Sequence, residues 1–424
     1  MPRMSPTPST KPRARRRSAS RQRVGLALAG GGPLGAIYEI GALCALQDAL
    51  SGIDFAALDS YVGVSAGGFL AAGLANGMTP RELCSAFIDH SGAAADAIDP
   101  TLFMRPAWRE MLSRLAKLPL LTAQAGLQYA TSRRSLMAVA ERLGQALPSG
   151  VFDSAAIEWQ VRRILSTTGR TNDFRQLRSR LVLVATDLDS GQAAPFGAPG
   201  WDDVPISQAV QASAALPGLF PPVHIGGRDY VDGALKKTLH ATVLLEAGLD
   251  LVLCVNPLVP FDASRAQATP ASSADHIPAL ASGGLPVVLS QVFRSLIHSR
   301  LALGMKGYER AYPNADVVLF EPAQDDVRLF TANLFSYRQR RALAEHAYQR
   351  TRADLRRRAP QLAPLLKRHG ITLNLQVLAD DSRVLLPAAT PSRTRFGRAL
   401  QRLDQTLQAL ESRHPARADA HAPR

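Results

Sequence analysis

From residue 24 onward, unbroken apolar runs alternate with stretches whose apolar positions recur at helical spacing. Val24-Gly25-Leu26-Ala27-Leu28-Ala29 has no polar position, which predicts a strand buried on both faces. After the glycines at 30–32, the residues Ile37, Ile40, Leu43, Cys44, Leu46 and Leu50 predict a helix with one apolar face. Tyr61-Val62-Gly63-Val64 predicts the next strand, and Phe69-Leu70-Ala71-Ala72-Gly73-Leu74 the helix after it. Thr79 as cap and Pro80 at the first helical position start a helix that should run to about His90. Further strands are predicted at 180–187, 251–255 and 316–320, with a return toward Phe196 and a hairpin over 223–231 turning at Gly226-Gly227-Arg228-Asp229. Helices are predicted at 153–168, 204–213, 241–247 and 338–358, the last rich in arginine. Strands alternating with helices from 24 to 255 predict a three-layer α/β/α sandwich around a mostly parallel central sheet.

Other regions are less regular. Residues 79–150 include Leu102, Phe103, Met104, Trp108, Leu118, Leu120 and Leu121, and predict a helical cap that packs on the sheet, lines an apolar entry groove, or does both. The Pro-, Ser-, Ala- and Gly-rich segment 260–284 reads as a mobile insertion. Leu285, Leu289, Val292, Leu296 and Ile297 then form an apolar stripe opposite Arg294, His298 and Ser299, an amphipathic helix whose default use is packing. Phe396, Leu400, Leu403, Leu407 and Leu410 make only two heptads, too few for a coiled coil; docking, dimer contact and membrane contact all stay open. The expected organisation is a disordered basic tail at 1–23, an α/β domain at 24–257 with the helical cap inside it, an extension packed on the core at 258–387, and a basic tail with a short amphipathic helix at 388–424.

The net charge of +14 suggests nucleic acid until it is divided along the chain. Residues 1–23 hold eight basic residues and no acid, and residues 388–424 hold seven basic and three acidic ones. The remaining 34 basic and 32 acidic residues leave the body near neutral, so no specific nucleic-acid partner is expected. The tail at 1–23 solubilises the chain or attracts it weakly to anionic lipid or nucleic acid. Cys44, Cys84 and Cys254 sit in apolar contexts without a CxxC pair and read as buried thiols in a reducing compartment, which suggests the cytoplasm. A basic stretch before an apolar run also resembles a signal peptide, but the run breaks at three glycines and serves better as a strand. With no run of 18 apolar residues, a transmembrane helix is not expected.

The chemistry centres on Gly63-Val64-Ser65-Ala66-Gly67, a Gly-x-Ser-x-Gly turn between strand and helix that exposes a serine hydroxyl. Upstream, Gly30-x-Gly32-x-x-Gly35 lies between a strand and a helix, where converging N–H groups stabilise negative charge. Either a dinucleotide pyrophosphate or an acyl-transfer oxyanion fits such a loop. The dinucleotide reading also requires a second strand ending in an acidic residue about 20 positions on. Here residues 48–54 are helix end and loop, and the next strand ends at Ser65. Ser65 needs a base, because a free hydroxyl is barely nucleophilic at neutral pH. His240, His276 and His298 are candidates, yet none lies in a glycine-supported loop at a strand end. Asp232 does: it closes a strand and is followed by Gly233 and Ala234.

A glycine-rich loop after the first strand, followed about thirty residues later by Gly-x-Ser-x-Gly, resembles the patatin-like phospholipase family. Asp187-Leu188-Asp189-Ser190-Gly191, the segment Ala214 to Pro222 and Asp232-Gly233-Ala234 extend the likeness over about 24–257. The resemblance implies a lipid acyl hydrolase with a Ser65–Asp232 dyad and no metal or cofactor. It also implies an oxyanion pocket drawn from Gly30, Gly31, Gly32 and Gly35, with Ala66 as a further donor. The chain departs from the family where Leu34 stands in place of a frequent Arg or Lys, and where Lys236-Lys237 replaces asparagines and a proline. Two other readings compete: a weakly active relative that binds lipid or a partner, and a nucleotide-binding protein using the glycine loop. The expected partners are a lipid ester and, peripherally, a membrane surface.

Overall fold

The computed structural model describes residues 22–89, 98, 105–132, 144, 147–237, 239–268, 280–332 and 337–386. The chain divides into a unit over residues 1–385 and a short one over 386–424. The basic N-terminal stretch, His90, Leu102 to Met104, His276 and the stripe from Phe396 to Leu410 lie outside the described residues.

Strand β1 (Val24–Leu28) is buried along its whole length and leads into α1 (Gly32–Ala49). The two-residue β2 (Leu50–Ser51) follows, then β3 (Ser60–Gly63), α2 (Ser65–Ala75) and α3 (Pro80–Cys84). Thr79 and Glu82 form a capping box at α3, in which each side chain accepts from the other residue's N–H. The chain then gives α4 (Trp108–Ser132), α5 (Ala155–Leu165), β4 (Arg180–Asp187), β5 (Ala193–Phe196) and α6 (Ile206–Ser213). Hairpin strands β6 (Val223–Ile225) and β7 (Arg228–Asp232) precede α7 (Ala241–Glu246) and β8 (Leu251–Val255). Beyond them lie α8 (Ala263–Ala268), α9 (Gly284–Ala311), β9 (Asp316–Phe320), α10 (Val327–Phe330), α11 (Tyr337–Arg368), β10 (Thr372–Leu373) and α12 (Leu375–Ala379).

The main sheet runs β6-β7-β4-β3-β1-β8-β9, with β5 paired to β4. β4, β3, β1, β8 and β9 are mutually parallel neighbours, and β5, β6 and β7 enter antiparallel. Helices flank this mostly parallel sheet, as the alternating pattern predicts. The C-terminal ends of β1 and β3 lie side by side, with Leu28 opposite Gly63. Gly63 in turn faces Leu183 of β4, and Ala185 pairs with Asp232 of β7. The loops after β1 and β3 therefore leave the sheet at one edge, and β7, running the other way, ends at Asp232 on the same level of the sheet as Ser65. Ligands bind at that edge in open α/β sheets, because the helix N-termini converge there.

Four expectations change in the folded chain. α1 is buried nearly all round instead of on one face, because α11 covers its outer side. A Cβ on Gly41 would stand 2.5 Å from the Ala344 carbonyl oxygen and 2.8 Å from the Ala347 methyl, so the two backbones touch. α11 continues through Pro360 and Pro364 to Arg368, where the sequence pattern had ended it near 358. The stripe on α9 is not packed: Leu285, Leu289, Val292 and Leu296 are all exposed. The segment read as a mobile insertion also begins in ordered form, with Phe261 buried and stacked on Phe330 before α8.

Candidate active site

Ser65 opens α2 with φ of 53°, the one left-handed non-glycine residue among those described. A side chain there costs on the order of 1–3 kcal/mol and is kept where the surroundings enforce it. Two contacts do so. The Ser65 N–H donates to the Ser213 hydroxyl at 2.8 Å, and that hydroxyl donates to the Val184 carbonyl at 2.6 Å. Across the turn, the Gly67 N–H donates to the Ala29 carbonyl at 3.1 Å. A Cβ on Gly67 would come within 2.3 Å of that carbonyl oxygen, so position 67 must be glycine for the elbow to sit against β1.

The glycine loop lies beside the elbow. A Cβ on Gly30 would meet the Ser65 Cβ at 3.0 Å and the Ala234 Cβ at 3.3 Å. Gly30 thus stands between the serine and the loop that carries the aspartate. Gly31 caps α1, Gly32 is its first residue, and Ala66 lies in the first turn of α2. N–H groups in a first helical turn have no acceptor within their helix and point toward the N-terminal side. Gly35 closes the loop by donating its N–H to the Gly31 carbonyl at 3.0 Å, while Pro257 packs against both residues.

Asp232 ends β7 and is 2% exposed. Its carboxylate accepts the Ala234 N–H at 2.8 Å, and the Ser65 hydroxyl lies close enough to favour its charged form. Burial pushes its pKa from 3.8 up to about 6, against the lowering effect of those two groups. Gly233 is required beside it, since a Cβ there would strike the Val184 carbonyl at 2.1 Å. Sequence reasoning placed Ser65, Asp232 and the glycines together, and the fold brings them to one edge. It did not single out Ser213, whose only sequence signal is a serine at the end of a helix leading toward the Pro-Gly loop.

His240 and His298 are the histidine candidates among the described residues. His240 is buried, and burial lowers its pKa to about 4, so its imidazole is neutral at ordinary pH. His298 lies on α9 against Gln324. Lys236 donates to the Gly191 carbonyl and to Gln192, and Lys237 donates to Thr242 and sits over the Tyr308 ring. Both lysines hold local structure. Cys44, Cys84 and Cys254 are free and buried.

Ser65 and Ala66 open into a cavity of about 110 Å³. Its walls are Pro33, Ala36 and Ile37 of α1, Phe69, Phe87, Ile98, Ile157, Val210, Ala214 and Phe220, with Arg340 as the charged residue among those described. The Gly32 backbone also faces this cavity, so the glycine loop borders an apolar space that contains a serine. A carbon-lined chamber of this kind suits an apolar ligand.

Comparison with solved structures finds VipD from Legionella pneumophila at a TM-score of 0.33 and 16% identity, over 79% of this chain and 66% of that one. The type III effector protein ExoU matches at 0.33 and 17% identity, over 95% and 68%. Full-length ExoU in complex with SpcU from Pseudomonas aeruginosa matches at 0.28 and 16% identity, over 93% and 61%. The chain thus spans about two thirds of the length of these proteins. The family described as patatin-like phospholipase matches residues 26–245, a span that holds the glycine loop, Ser65 and Asp232. Because that match takes in just over half of the chain, from within β1 to within α7, the protein belongs to the patatin-like phospholipase family.

Proposed function

We propose that the protein is a serine acyl hydrolase of lipid esters that works through a Ser65–Asp232 dyad. The observation that carries this reading is the strained Ser65 turn, set at an apolar cavity and close enough to the buried Asp232 carboxylate to lower its pKa. Ionised Asp232 accepts the hydroxyl proton as Ser65 attacks the ester carbonyl. The N–H groups of Gly31 and Gly32, with Ala66, receive the oxyanion. Loss of one such donor in a serine hydrolase costs roughly a hundred- to a thousandfold in rate. Collapse of the tetrahedral adduct expels the alcohol, which takes the proton back from Asp232. Water then gives its proton to Asp232 and its oxygen to the acyl carbon, releasing the acid and restoring Ser65. No step calls for a metal or cofactor.

Lipid reaches this site from a membrane surface that the protein touches peripherally. No helix among the described residues is long and apolar enough to cross a bilayer. Exposed apolar side chains on α4 and α9 are the surfaces suited to lying on one. The decisive test is labelling with a fluorophosphonate, alongside turnover of a medium-chain ester. Ser65→Ala abolishes both, and Asp232→Asn removes nearly all turnover. Labelling that survives Ser65→Ala would sink the assignment.

A further inference from the structure

We infer that Phe69 and Phe87 close one end of the acyl chamber and so limit the length of acyl chain that the protein accepts. The inference rests on the proposed acyl hydrolase and adds a chain-length limit to it. The cavity that contains Ser65 is bounded by Phe69, Phe87 and Ile98. The same three side chains form the near wall of a second cavity, of about 10 Å³, whose other walls include Gly73, Val161 and Ile164. Two helices carry one face past both spaces. On α2, Ser65 and Phe69 line the first, and Phe69 and Gly73 line the second. Their spacing of four residues sets each about one turn, or roughly 6 Å, beyond the one before. On α5, Ile157 lines the first, and Val161 and Ile164 line the second. The second cavity therefore continues the first away from the nucleophile, with the aromatic pair standing between them.

The two rings meet edge to face, with centroids 4.9 Å apart and planes at 77°, an arrangement that aromatic pairs favour. Phe87 comes from a π-helical turn over Ser85–Asp89 that follows α3 directly. Such turns are uncommon and concentrate at functional sites. The Ile98 N–H donates to the Ala86 carbonyl at 3.1 Å, so Ile98 is tied to the turn that carries Phe87. Among the described residues, every one that lines the second cavity is apolar. An apolar cavity holds no ordered water, so a chain end admitted there would displace nothing bound and would bury further methylenes. The paired rings deny a long chain that gain.

The test uses the full chain and a series of p-nitrophenyl esters from octanoate to tetradecanoate. The ratio of kcat/KM for tetradecanoate over octanoate rises about tenfold or more in Phe87→Ala, as burial of roughly two further methylenes requires. Phe87→Leu raises the ratio less, and Phe87→Trp, which thickens the wall, lowers it. If Phe87→Ala loses its thermal transition, the opposite movements of Phe87→Leu and Phe87→Trp decide the question. A ratio unchanged in these variants, because activity stays or falls equally at every chain length, overturns the inference and makes the pair a packing contact. A binding arm separates this failure from that of the dyad. Ser65→Ala is titrated calorimetrically with octanoate and with tetradecanoate, with and without Phe87→Ala. Absence of hydrolysis in the wild type, with a preference for tetradecanoate that grows in Phe87→Ala, removes the hydrolase and keeps the wall. An equal preference in both backgrounds removes the wall.

Discussion

Asp232 has its ordinary carboxylate pKa of 3.8 raised to about 6 by burial, and this shift has opposite consequences for activity and stability. As the proposed base it works only when ionised. The kcat/KM for an uncharged ester therefore falls about tenfold for each unit below pH 6 and levels off above it. A flat profile between pH 4.5 and 7 would argue against Asp232 as the proton acceptor. Stability changes in the other sense. Between pH 4 and 6 the folded chain holds a proton that the unfolded chain has lost, so stability from this group falls as pH rises through that window. The full shift corresponds to roughly 3 kcal/mol. Asp232→Asn, which keeps an acceptor for the Ala234 N–H, is expected to be more stable than the wild type at pH 7 by about 1–3 kcal/mol, while losing activity. Thermal midpoints of both proteins at pH 4 and pH 7 check this, since the gap should nearly close at the lower pH.

At the scale of elements, the elbow after β3 depends on α6 through one side chain. Ser213→Ala strands the Ser65 N–H and frees the Val184 carbonyl, a loss of about 1–3 kcal/mol for buried polar groups. It also loosens the nucleophile, so kcat/KM is expected to drop roughly ten- to a hundredfold. Intact fluorophosphonate labelling rates in this variant would show that the elbow holds without it. The sequence carried the strands and their following helices well, because a strand buried on both faces admits only apolar residues. Val24 to Leu28 and Leu251 to Val255 are such strands, and both are central in the sheet. It carried the placement of Ser65 and Asp232 because Gly63, Gly67 and Gly233 mark places where backbone meets backbone. What it missed depends on contacts between distant segments. Ser213 and Arg340 reach the site from helices 148 and 275 positions beyond Ser65, and no local pattern ties them to it. The extension of α11 through Pro360 and Pro364 was missed for a related reason. A proline within a helix removes one N–H bond, and packing of α11 along α1 and α12 offsets that local cost.

For the whole molecule, the distribution of charge and exposed carbon bears on how lipid arrives. Between residues 284 and 308, α9 contains Arg294, Arg300 and Lys306 and no acidic residue. Arg294 is turned inward over the Phe330 ring, whereas Arg300 and Lys306 are exposed beside Val292, Leu296 and Leu303. α4 presents Trp108, Leu112, Leu115 and Leu120 to solvent with Lys117 among them. Helices with exposed carbon and uncompensated cations bind the interface of an anionic bilayer, through apolar insertion and electrostatic attraction together. The two contributions separate by salt, which screens the attraction beyond a Debye length of about 8 Å at physiological ionic strength and leaves insertion in place. Co-sedimentation with vesicles containing about one third anionic lipid should therefore weaken, but not vanish, as salt is raised. Replacing Val292 and Leu296 together by glutamate sets two charges into the acyl boundary, where each buried apolar side chain had contributed about 1.5–3 kcal/mol. Vesicle binding by that variant is expected to fall at least tenfold, with hydrolysis of a soluble short-chain ester reporting the state of the site. Unchanged vesicle binding would mean that α9 does not face the membrane, and that lipid enters from another side of the sheet.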